Sequence, residues 1–385
     1  MKKKLKIFVL YRVIQHWRVP IFEKIAKVDN VDFKILHGPD FKGTKVVNST
    51  GAIPFKSKKL ISFKLQRQSA NGLIAMPFSP FLFFYLCFQQ PDVIITEGAS
   101  NFLNAIQGFA YCKLFGKKYI WWSLGKLQKR DYDVSRKKID RIVQYMERQS
   151  DAIVSYSTIG KQYFLAIGVP EEKIFVAVNV VDTASKLAAL KTIDTKVIVN
   201  EFHKKHSFNV LFVGALNKEK NIEMLIKAFA KLEARYADVY LNIVGGGSHA
   251  EALKTLSNEM GVKSINFTGS MIQGVENYFI GSDVFVLPGL GGLAVSEAMT
   301  YGLPVIASIG DGCEADLIDE TNGLLDVNLN VDSLFNYLDK LYNDRELLQS
   351  LKQNARLKIE EKYNVENYVK QISNAINYTV SKKNL

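Results

Sequence analysis

The feature that most limits the fold is a regular alternation of short apolar runs with amphipathic stretches along most of the chain. We predict strands at Lys6–Leu10, Asp32–Leu36, Asp92–Thr96, Tyr119–Trp122, Ala152–Ser155, Ile174–Val178, Val210–Val213, Tyr240–Val244, Ser264–Phe267, Val284–Leu287 and Pro304–Ala307. We predict helices at Asn101–Phe115, Arg136–Gln149, Asn221–Arg235, His249–Met260, Gly292–Tyr301, Val331–Tyr342 and within Asp344–Thr379. Because strands that alternate with helices imply a parallel sheet covered on both faces, the sequence predicts an α/β protein.

The alternation forms two consecutive series, which indicates two doubly wound domains and not one oversized sheet. The turn-like segment Asn179–Asp182 ends the first series, and we place the join near Val181–Thr195. The predicted domains are residues 1–182 and 183–360, followed by a C-terminal helix within 361–385 that packs back on the first domain. Ligands of open α/β sheets bind beyond the carboxyl ends of the strands, so we expect the site in a cleft between two facing domains.

Composition and charge narrow the class of protein. A net charge of +12 favours polyanionic partners such as phosphorylated substrates or anionic lipid. No aromatic–basic module accompanies that charge, so no nucleic-acid partner is predicted. Three widely spaced cysteines predict neither a disulfide framework nor a zinc site and fit a reducing compartment. The apolar run after the basic start is too short for a signal peptide, and the most apolar segment, Leu73–Phe88, is too short to span a membrane, so we predict a cytoplasmic protein.

One candidate phosphate site follows the strand that ends at Val213. The sequence continues through Gly214 into a short polar loop that contains Lys218 and Lys220, and an amphipathic helix begins at Asn221. Glycine lets the backbone approach a ligand closely, and a helix start offers N–H groups and partial positive charge to an anion. The alternative is an ordinary turn between strand and helix with solvated lysines.

A second candidate loop runs from Pro288 to Val305, with a glycine-rich turn, a helix that ends at Gly302 and another buried strand. Its glycines expose N–H groups that suit a diphosphate or sugar hydroxyls. Glu297 lies just inside the helix, where its carboxylate could accept hydrogen bonds from a vicinal diol such as that of ribose. The alternative is that Glu297 merely complements the helix dipole.

These segments resemble glycosyltransferase family 4, the retaining group-1 transferases of GT-B fold, whose pattern has two glutamates separated by seven residues. The matching residues are Glu297, Ala298, Met299, Gly302, Pro304, Val305, Gly214, Leu216 and Lys220. Two positions depart from the pattern, because Gly289 replaces the first glutamate and Ala215 replaces a phosphate-binding arginine. The form Pro-Gly-x-x-Gly-Leu resembles a variant branch of such transferases.

The resemblance implies transfer of a sugar with retention from a UDP- or GDP-sugar to a glycan or lipid-linked acceptor, as in the synthesis of surface polysaccharide or glycolipid. It implies no cofactor and no metal. Lys220 would then bind the diphosphate and Glu297 the ribose. The predicted donor-binding residues are Gly214, Asn217, Lys220, Gly289, Leu290, Gly291, Gly292, Leu293, Ala294 and Glu297. A sugar-nucleotide epimerase of the same architecture and an inactive transferase-like binding subunit remain alternatives.

The first domain is expected to bind the acceptor. His16 and Arg18 follow the first strand, where His16 could bind a sugar hydroxyl and Arg18 a phosphate, and Ser123 follows another strand. His16 and Glu297 are the predicted catalytic residues. The alternative is that Trp17 packs and its neighbours are solvated. We interpret Asp131-Tyr-Asp133, a triplet that binds metal in another transferase class, as a solvated loop.

A peripheral membrane contact is also predicted. Leu73–Phe88 could lie on a membrane, aided by basic clusters at Lys2–Lys4, Lys56–Lys59 and Lys126–Arg130. The alternative is a buried core helix. The membrane hypothesis places the protein on the inner face of the cell membrane.

Overall fold

A computed structural model describes residues 4–41, 44, 46–69, 72–126 and 134–381, with side chains left undescribed at 67–74 and 134–138. The chain divides into two compact units. Unit 1 comprises Met1–Val178 with Glu366–Leu385, and unit 2 comprises Asn179–Val365. The triplet Asp131-Tyr-Asp133 lies outside the described residues.

Unit 1 is built around a parallel sheet. Its strands are β1 (Leu5–Tyr11), β2 (Val31–His37), β3 (Ser57–Lys59), β4 (Phe63–Ser69), β5 (Gly72–Phe78), β6 (Val93–Thr96), β7 (Lys118–Ser123), β8 (Ala152–Ser155) and β9 (Ile174–Val176). Its helices are α1 (Val19–Ala26), α2 (Leu82–Gln89), α3 (Phe102–Leu114), α4 (Val134–Arg148) and α5 (Thr158–Ala166). Seven strands form the sheet in the order β3-β2-β1-β6-β7-β8-β9, all parallel, while β4 and β5 form a separate antiparallel hairpin.

Unit 2 repeats this design with six parallel strands. They are β10 (Phe208–Val213), β11 (Val239–Val244), β12 (Ile265–Gly269), β13 (Val284–Leu287), β14 (Val305–Ala307) and β15 (Gly323–Leu325), in the order β12-β11-β10-β13-β14-β15. Its helices are α6 (Thr183–Leu190), α7 (Thr195–His203), α8 (Ile222–Arg235), α9 (Ala250–Glu259), α10 (Val275–Gly281), α11 (Leu293–Thr300), α12 (Glu314–Leu317), α13 (Val331–Asn343) and α14 (Arg345–Glu361). Two doubly wound units confirm the predicted α/β class.

The central strands of both units are buried on both faces, which explains their continuous apolar sequences. Within β1 the side chains of Ile7, Phe8, Val9 and Leu10 are at most 1% exposed. Helices bury one face each; in α8, for example, the spacing of Ile222, Leu225 and Phe229 directs all three inward.

The last helix, α15 (Val365–Ser381), begins at the boundary and belongs to unit 1 from Glu366 onward. Tyr368 of this helix is buried, and its hydroxyl accepts a hydrogen bond of 2.7 Å from the Arg18 guanidinium. The C-terminal helix is therefore part of the core of unit 1.

The apolar segment Leu73–Phe88 is not one helix, so the alternative of a single buried core helix is wrong, whereas its contact with a membrane stays a prediction. Its first part lies in β5, paired with β4, and α2 begins only at Leu82. In α2, Leu82 and Leu86 are buried, whereas Phe81, Phe84 and Phe88 are more than 60% exposed. Half of the helix surface therefore belongs to the core and half faces solvent.

Candidate functional site

The sheet order of unit 2 creates a crevice between β10 and β13. The chain passes from β10 outward to β11 and β12 and then returns to β13 on the other side of β10. Loops at the carboxyl ends of two such strands diverge and leave room for a ligand. The loop 214–221 follows β10 and the loop 288–292 follows β13, so both predicted donor loops lie at this crevice.

Lys220 joins the two loops. It ends a 3₁₀ turn (Lys218–Lys220), and its ammonium donates hydrogen bonds to the carbonyl oxygens of Leu290 and Gly291, the latter at 3.0 Å. The side chain is half-buried, whereas Lys218 is exposed. The predicted cation and the predicted glycine-rich loop are thus in contact.

Gly289 leaves no room for a side chain. A Cβ atom there would lie 2.4 Å from the carbonyl oxygen of Glu219 and 2.5 Å from the carbonyl carbon of Lys220. The contact is fixed by a hydrogen bond of 2.9 Å from the N–H of Leu290 to the same Glu219 oxygen. Close packing of two backbone segments therefore excludes a side chain at position 289.

Glu297 lies on α11, in the turn after Gly292, Leu293 and Ala294. Its carboxylate forms an ion pair with Lys186 of α6, with 2.5 Å between Nζ and Oε1, and is 23% exposed. Burial and the charge of Glu297 raise the pKa of Tyr301 to about 12. The charge of Lys186 compensates the charge of Glu297, so the ion pair and not the helix dipole is the main electrostatic interaction of this carboxylate. Because the carboxylate is partly exposed, it is accessible to a ligand.

The other predicted donor residues surround the same crevice. Gly214 and Asn217 lie on the β10 loop, where the N–H of Gly214 donates to the carbonyl of Val244 at 3.0 Å. Gly291 to Ala294 are half-buried, and Leu293 begins α11. The structure therefore brings the predicted donor residues of unit 2 together around two loops and one helix start.

The predicted acceptor residues of unit 1 have different surroundings. His16 is exposed, and its ring packs edge-on against Trp17 with 4.8 Å between centroids. Ser123 is half-buried at the end of β7, where its hydroxyl accepts the N–H of Gly125 at 3.2 Å. Both side chains remain acceptor-side predictions.

Arg18 is only 4% exposed, whereas a side chain that binds a phosphate ligand has to be accessible to it. Its guanidinium lies 5.4 Å from the ring centroids of Trp122 and Tyr156 and 5.8 Å from that of Tyr368. Cation–π contacts of this kind are strongest for a desolvated cation. A phosphate contact would require these partners to give way, so the structure favours a core role for Arg18.

Two carboxylates near the strand ends were missed by the sequence reasoning. Glu97 directly follows β6 at the crevice of unit 1, and its Oε2 accepts the N–H of Arg12 at 2.6 Å. Glu314 is 1% exposed and lies against the glycine-rich loop of unit 2. Their position in the sequence, shortly after apolar strands, could have identified both as candidate site residues. The partner of Glu297, Lys186, is 111 residues away in sequence and had no such signal.

Among the described residues, no group of three or more His, Cys, Asp or Glu side chains is arranged to hold a metal ion, and the absence of a metal stays a prediction. No helix in the same residues has the length and apolar character needed to cross a membrane.

The similarity to known protein sequences includes the segment that carries this site. Residues 195–358 match the family model of glycosyl transferases group 1. An uncharacterized glycosyltransferase of Methanocaldococcus jannaschii is 31% identical over 43% of this chain and 43% of its own length. The UDP-Gal:alpha-D-GlcNAc-diphosphoundecaprenol alpha-1,3-galactosyltransferase of Escherichia coli is 30% identical over 53% of this chain and 51% of its own length. The chain thus spans about half the length of these two relatives.

A solved structure resembles nearly the whole chain. The Anabaena protein Alr3699/HepE in complex with UDP aligns with 97% of this chain and 99% of its own, with a TM-score of 0.70 and 17% identity. At that identity the likeness concerns the fold alone. The chain therefore has the GT-B fold, and the part of it that matches the group 1 glycosyl transferase model lies within unit 2.

Proposed function

We propose that this protein transfers a hexose-type sugar from a nucleotide-sugar to a glycan or lipid-linked acceptor, with retention at the anomeric carbon. The observation that carries the proposal is the contact of Lys220 with the glycine-rich loop at the crevice of a group 1 domain. The names of a UDP-bound neighbour and of a relative that uses UDP-Gal support a UDP-sugar, with a GDP-sugar as the other choice. The named diphosphoundecaprenol acceptor of that relative supports a role in surface polysaccharide or glycolipid synthesis.

The proposed chemistry depends on the leaving group. Departure of a nucleoside diphosphate places negative charge on its oxygens, and a positioned ammonium together with backbone N–H groups stabilises that charge. The side chain of Lys220 and the N–H groups of residues 291–294 would supply this stabilisation without a metal. The leaving diphosphate itself would help to take the acceptor proton, so the protein mainly has to position the two substrates.

A ligand screen followed by a turnover assay tests the function. We expect UDP or GDP, and the matching nucleotide-sugar, to raise the melting temperature of the purified protein. Incubation with the stabilising donor and a lipid-linked glycan should then release the nucleoside diphosphate and extend the glycan. Conversion of the donor sugar to its epimer would support the epimerase alternative instead. Binding without turnover of any acceptor would support the inactive binding subunit.

Glu297→Gln tests the proposed ribose contact. Because the amide loses one acceptor and the negative charge, we expect affinity for UDP or GDP to fall about tenfold, the effect of losing a charged hydrogen bond. Isothermal titration with the nucleoside diphosphate and with its 2′-deoxy form measures the contact directly. Wild-type protein should prefer the ribose form, and the variant should prefer it much less.

Lys186→Met is the companion variant for this test. It removes the ion pair with Glu297 but keeps the carboxylate, so the preference for ribose over deoxyribose should persist. If Glu297→Gln keeps the full preference, the ribose contact is wrong.

We also propose that unit 1 docks on an anionic membrane. Seven of its exposed apolar residues lie on three neighbouring segments. Ile61 and Phe63 lie just before and in β4, Phe81, Phe84 and Phe88 lie at the start of and along α2, and Leu114 and Phe115 lie at the end of α3. We call these residues the aromatic strip. A hydrogen bond of 2.8 Å between Ser62 and Ser79 joins the first two segments, and the hydroxyl of Tyr111 on α3 reaches Pro91 just after α2.

The charge distribution supports this surface. Of the 50 Lys and Arg residues, 32 lie in unit 1, which holds only 14 of the 38 Asp and Glu residues. Lys58, Lys64 and Lys113 are exposed on the same segments as the aromatic strip. Apolar side chains flanked by lysines favour an interfacial position on anionic lipid.

The double variant Phe84→Ser, Phe88→Ser should show a several-fold smaller fraction of protein that co-sediments with phosphatidylglycerol vesicles. The reason is that each phenylalanine contributes buried apolar area at the interface. Ile272→Ser is the matched control, since Ile272 is 99% exposed but lies in unit 2. If wild-type protein does not bind these vesicles at low salt, or if both variants bind equally, docking through the aromatic strip is contradicted.

A further inference from the structure

Glu314 is a buried carboxylate in direct contact with the glycine-rich loop of unit 2. It is 1% exposed, and its Oε1 would lie 1.5 Å from a Cβ atom added to Gly291. The carboxylate therefore occupies the space next to Gly291 where a side chain would otherwise lie. Any residue larger than glycine at 291 would have to displace it.

The same carboxylate holds the turn that follows β14. Its Oε2 accepts the N–H of Gly312 at 2.9 Å, and its Oε1 lies 3.4 Å from the N–H of Asp311. A Cβ atom at Gly310 would lie 2.3 Å from the nitrogen of Gly291, so this turn and the glycine-rich loop are in van der Waals contact. One carboxylate thus touches both segments of the backbone.

We propose that Glu314 is the positioning residue of the donor loop: its carboxylate fixes the turn 310–312 against Gly291 and thereby sets the N–H groups that receive the donor diphosphate. The proposal rests on the proposed donor site. Position 289 has no space for a carboxylate, and Glu314 supplies one to the same loop at Gly291. Lys220 contacts the carbonyl of Gly291, so a cation and an anion both hold this one residue.

The charge of this carboxylate depends on pH near neutrality. Burial, and next the charge of Asp311, raise the pKa of Glu314 to about 7. The other titratable groups close by are Cys313, whose pKa burial raises, and Asp316 on the same segment, with Lys220 on the facing turn. The ionised carboxylate can accept a hydrogen bond from an N–H group on each of its oxygens. The protonated form carries a hydrogen on one oxygen, which weakens the hydrogen bond that this oxygen accepts. We therefore expect the loop to be held best above pH 7.

Glu314→Gln tests the carboxylate with almost no change of volume. At pH 8 we expect the dissociation constant for UDP or GDP, whichever the wild-type protein binds, to rise about tenfold by isothermal titration, because an amide N–H₂ would face a backbone N–H. The KM for the donor should rise more than kcat falls. Wild-type affinity should weaken from pH 8 to pH 6 more steeply than that of the variant, a difference that a purely structural role would not produce. Glu320→Gln, the same change at an exposed position, should match wild type in every respect.

A second variant covers the case in which Glu314→Gln does not fold. Gly291→Ala disturbs the same contact from the loop, and it should weaken nucleotide binding at least as much. Wild-type affinity in both variants, or identical pH profiles for Glu314→Gln and wild type, would overturn the positioning role. Failure of the wild-type protein to bind any nucleoside diphosphate would instead contradict the proposed function.

Discussion

Replacing Lys220 with alanine should lower kcat/KM for the nucleotide-sugar donor by about 100-fold or more, the usual effect of losing a main electrostatic contact to a leaving group. Position 215 is alanine, where the resemblance to group-1 transferases implies a phosphate-binding arginine, so we expect Lys220 to be the main cation for the diphosphate. The ammonium also joins Leu290 and Gly291 to the 3₁₀ turn, so its loss removes both charge and order from the loop. Steady-state kinetics with varied donor measure the effect.

Two comparisons isolate the role of Lys220. Lys218→Ala removes an exposed lysine from the same turn and should leave kcat/KM within about twofold, as is usual for exposed charges. The free nucleoside, which lacks the diphosphate, should bind equally to Lys220→Ala and wild type. Unchanged donor kinetics in Lys220→Ala would refute the phosphate role.

Restoring the glutamate of the family pattern should harm the protein. A side chain at position 289 meets the backbone of Glu219 and Lys220 within 2.6 Å, so Gly289→Glu must push the two donor loops apart. We expect donor affinity to fall by at least about 30-fold and the free energy of unfolding to drop by about 1–3 kcal/mol, as for other overpacked sites. Nucleotide titration and urea denaturation measure the two effects.

Gly51→Glu provides the control for added bulk and charge. Gly51 is exposed, and among the described residues beyond its two chain neighbours an added Cβ atom would have only the Ser49 hydroxyl within 4 Å, at 3.7 Å. That variant should bind donor and unfold like wild type. A Gly289→Glu protein with normal or improved donor affinity would mean that the loops separate at little cost.

The sequence allowed prediction of features with local causes. Strands β10 and β13 are continuous apolar runs, and Lys220 lies only a few residues beyond β10, so their contribution to one crevice follows from chain order. Contacts between distant residues were not predictable in this way. The burial of Arg18 depends on Tyr368, 350 residues away, and the charge balance of Glu297 depends on Lys186.

The hairpin of β4 and β5 was missed for a different reason. Its apolar residues fall into one long run with those of α2, and hydropathy alone does not divide such a run into strand and helix. The dipeptide Asn71-Gly72 between two strand-like stretches is a common hairpin signal that would have divided it. From the sequence, Gly289 could be read only as a departure from the pattern of two glutamates. The backbone atoms that exclude a side chain there come close only in the folded structure.

The return of α15 to unit 1 determines how this chain can be divided. A fragment that ends at Val178 would lack Tyr368, so the buried Arg18 guanidinium would lose both the hydrogen bond to the Tyr368 hydroxyl and one of its aromatic neighbours. Unit 2, in contrast, is one continuous segment. Separate study of the two halves therefore calls for a continuous Asn179–Val365 fragment and for a first unit whose two segments, Met1–Val178 and Glu366–Leu385, are rejoined by a linker.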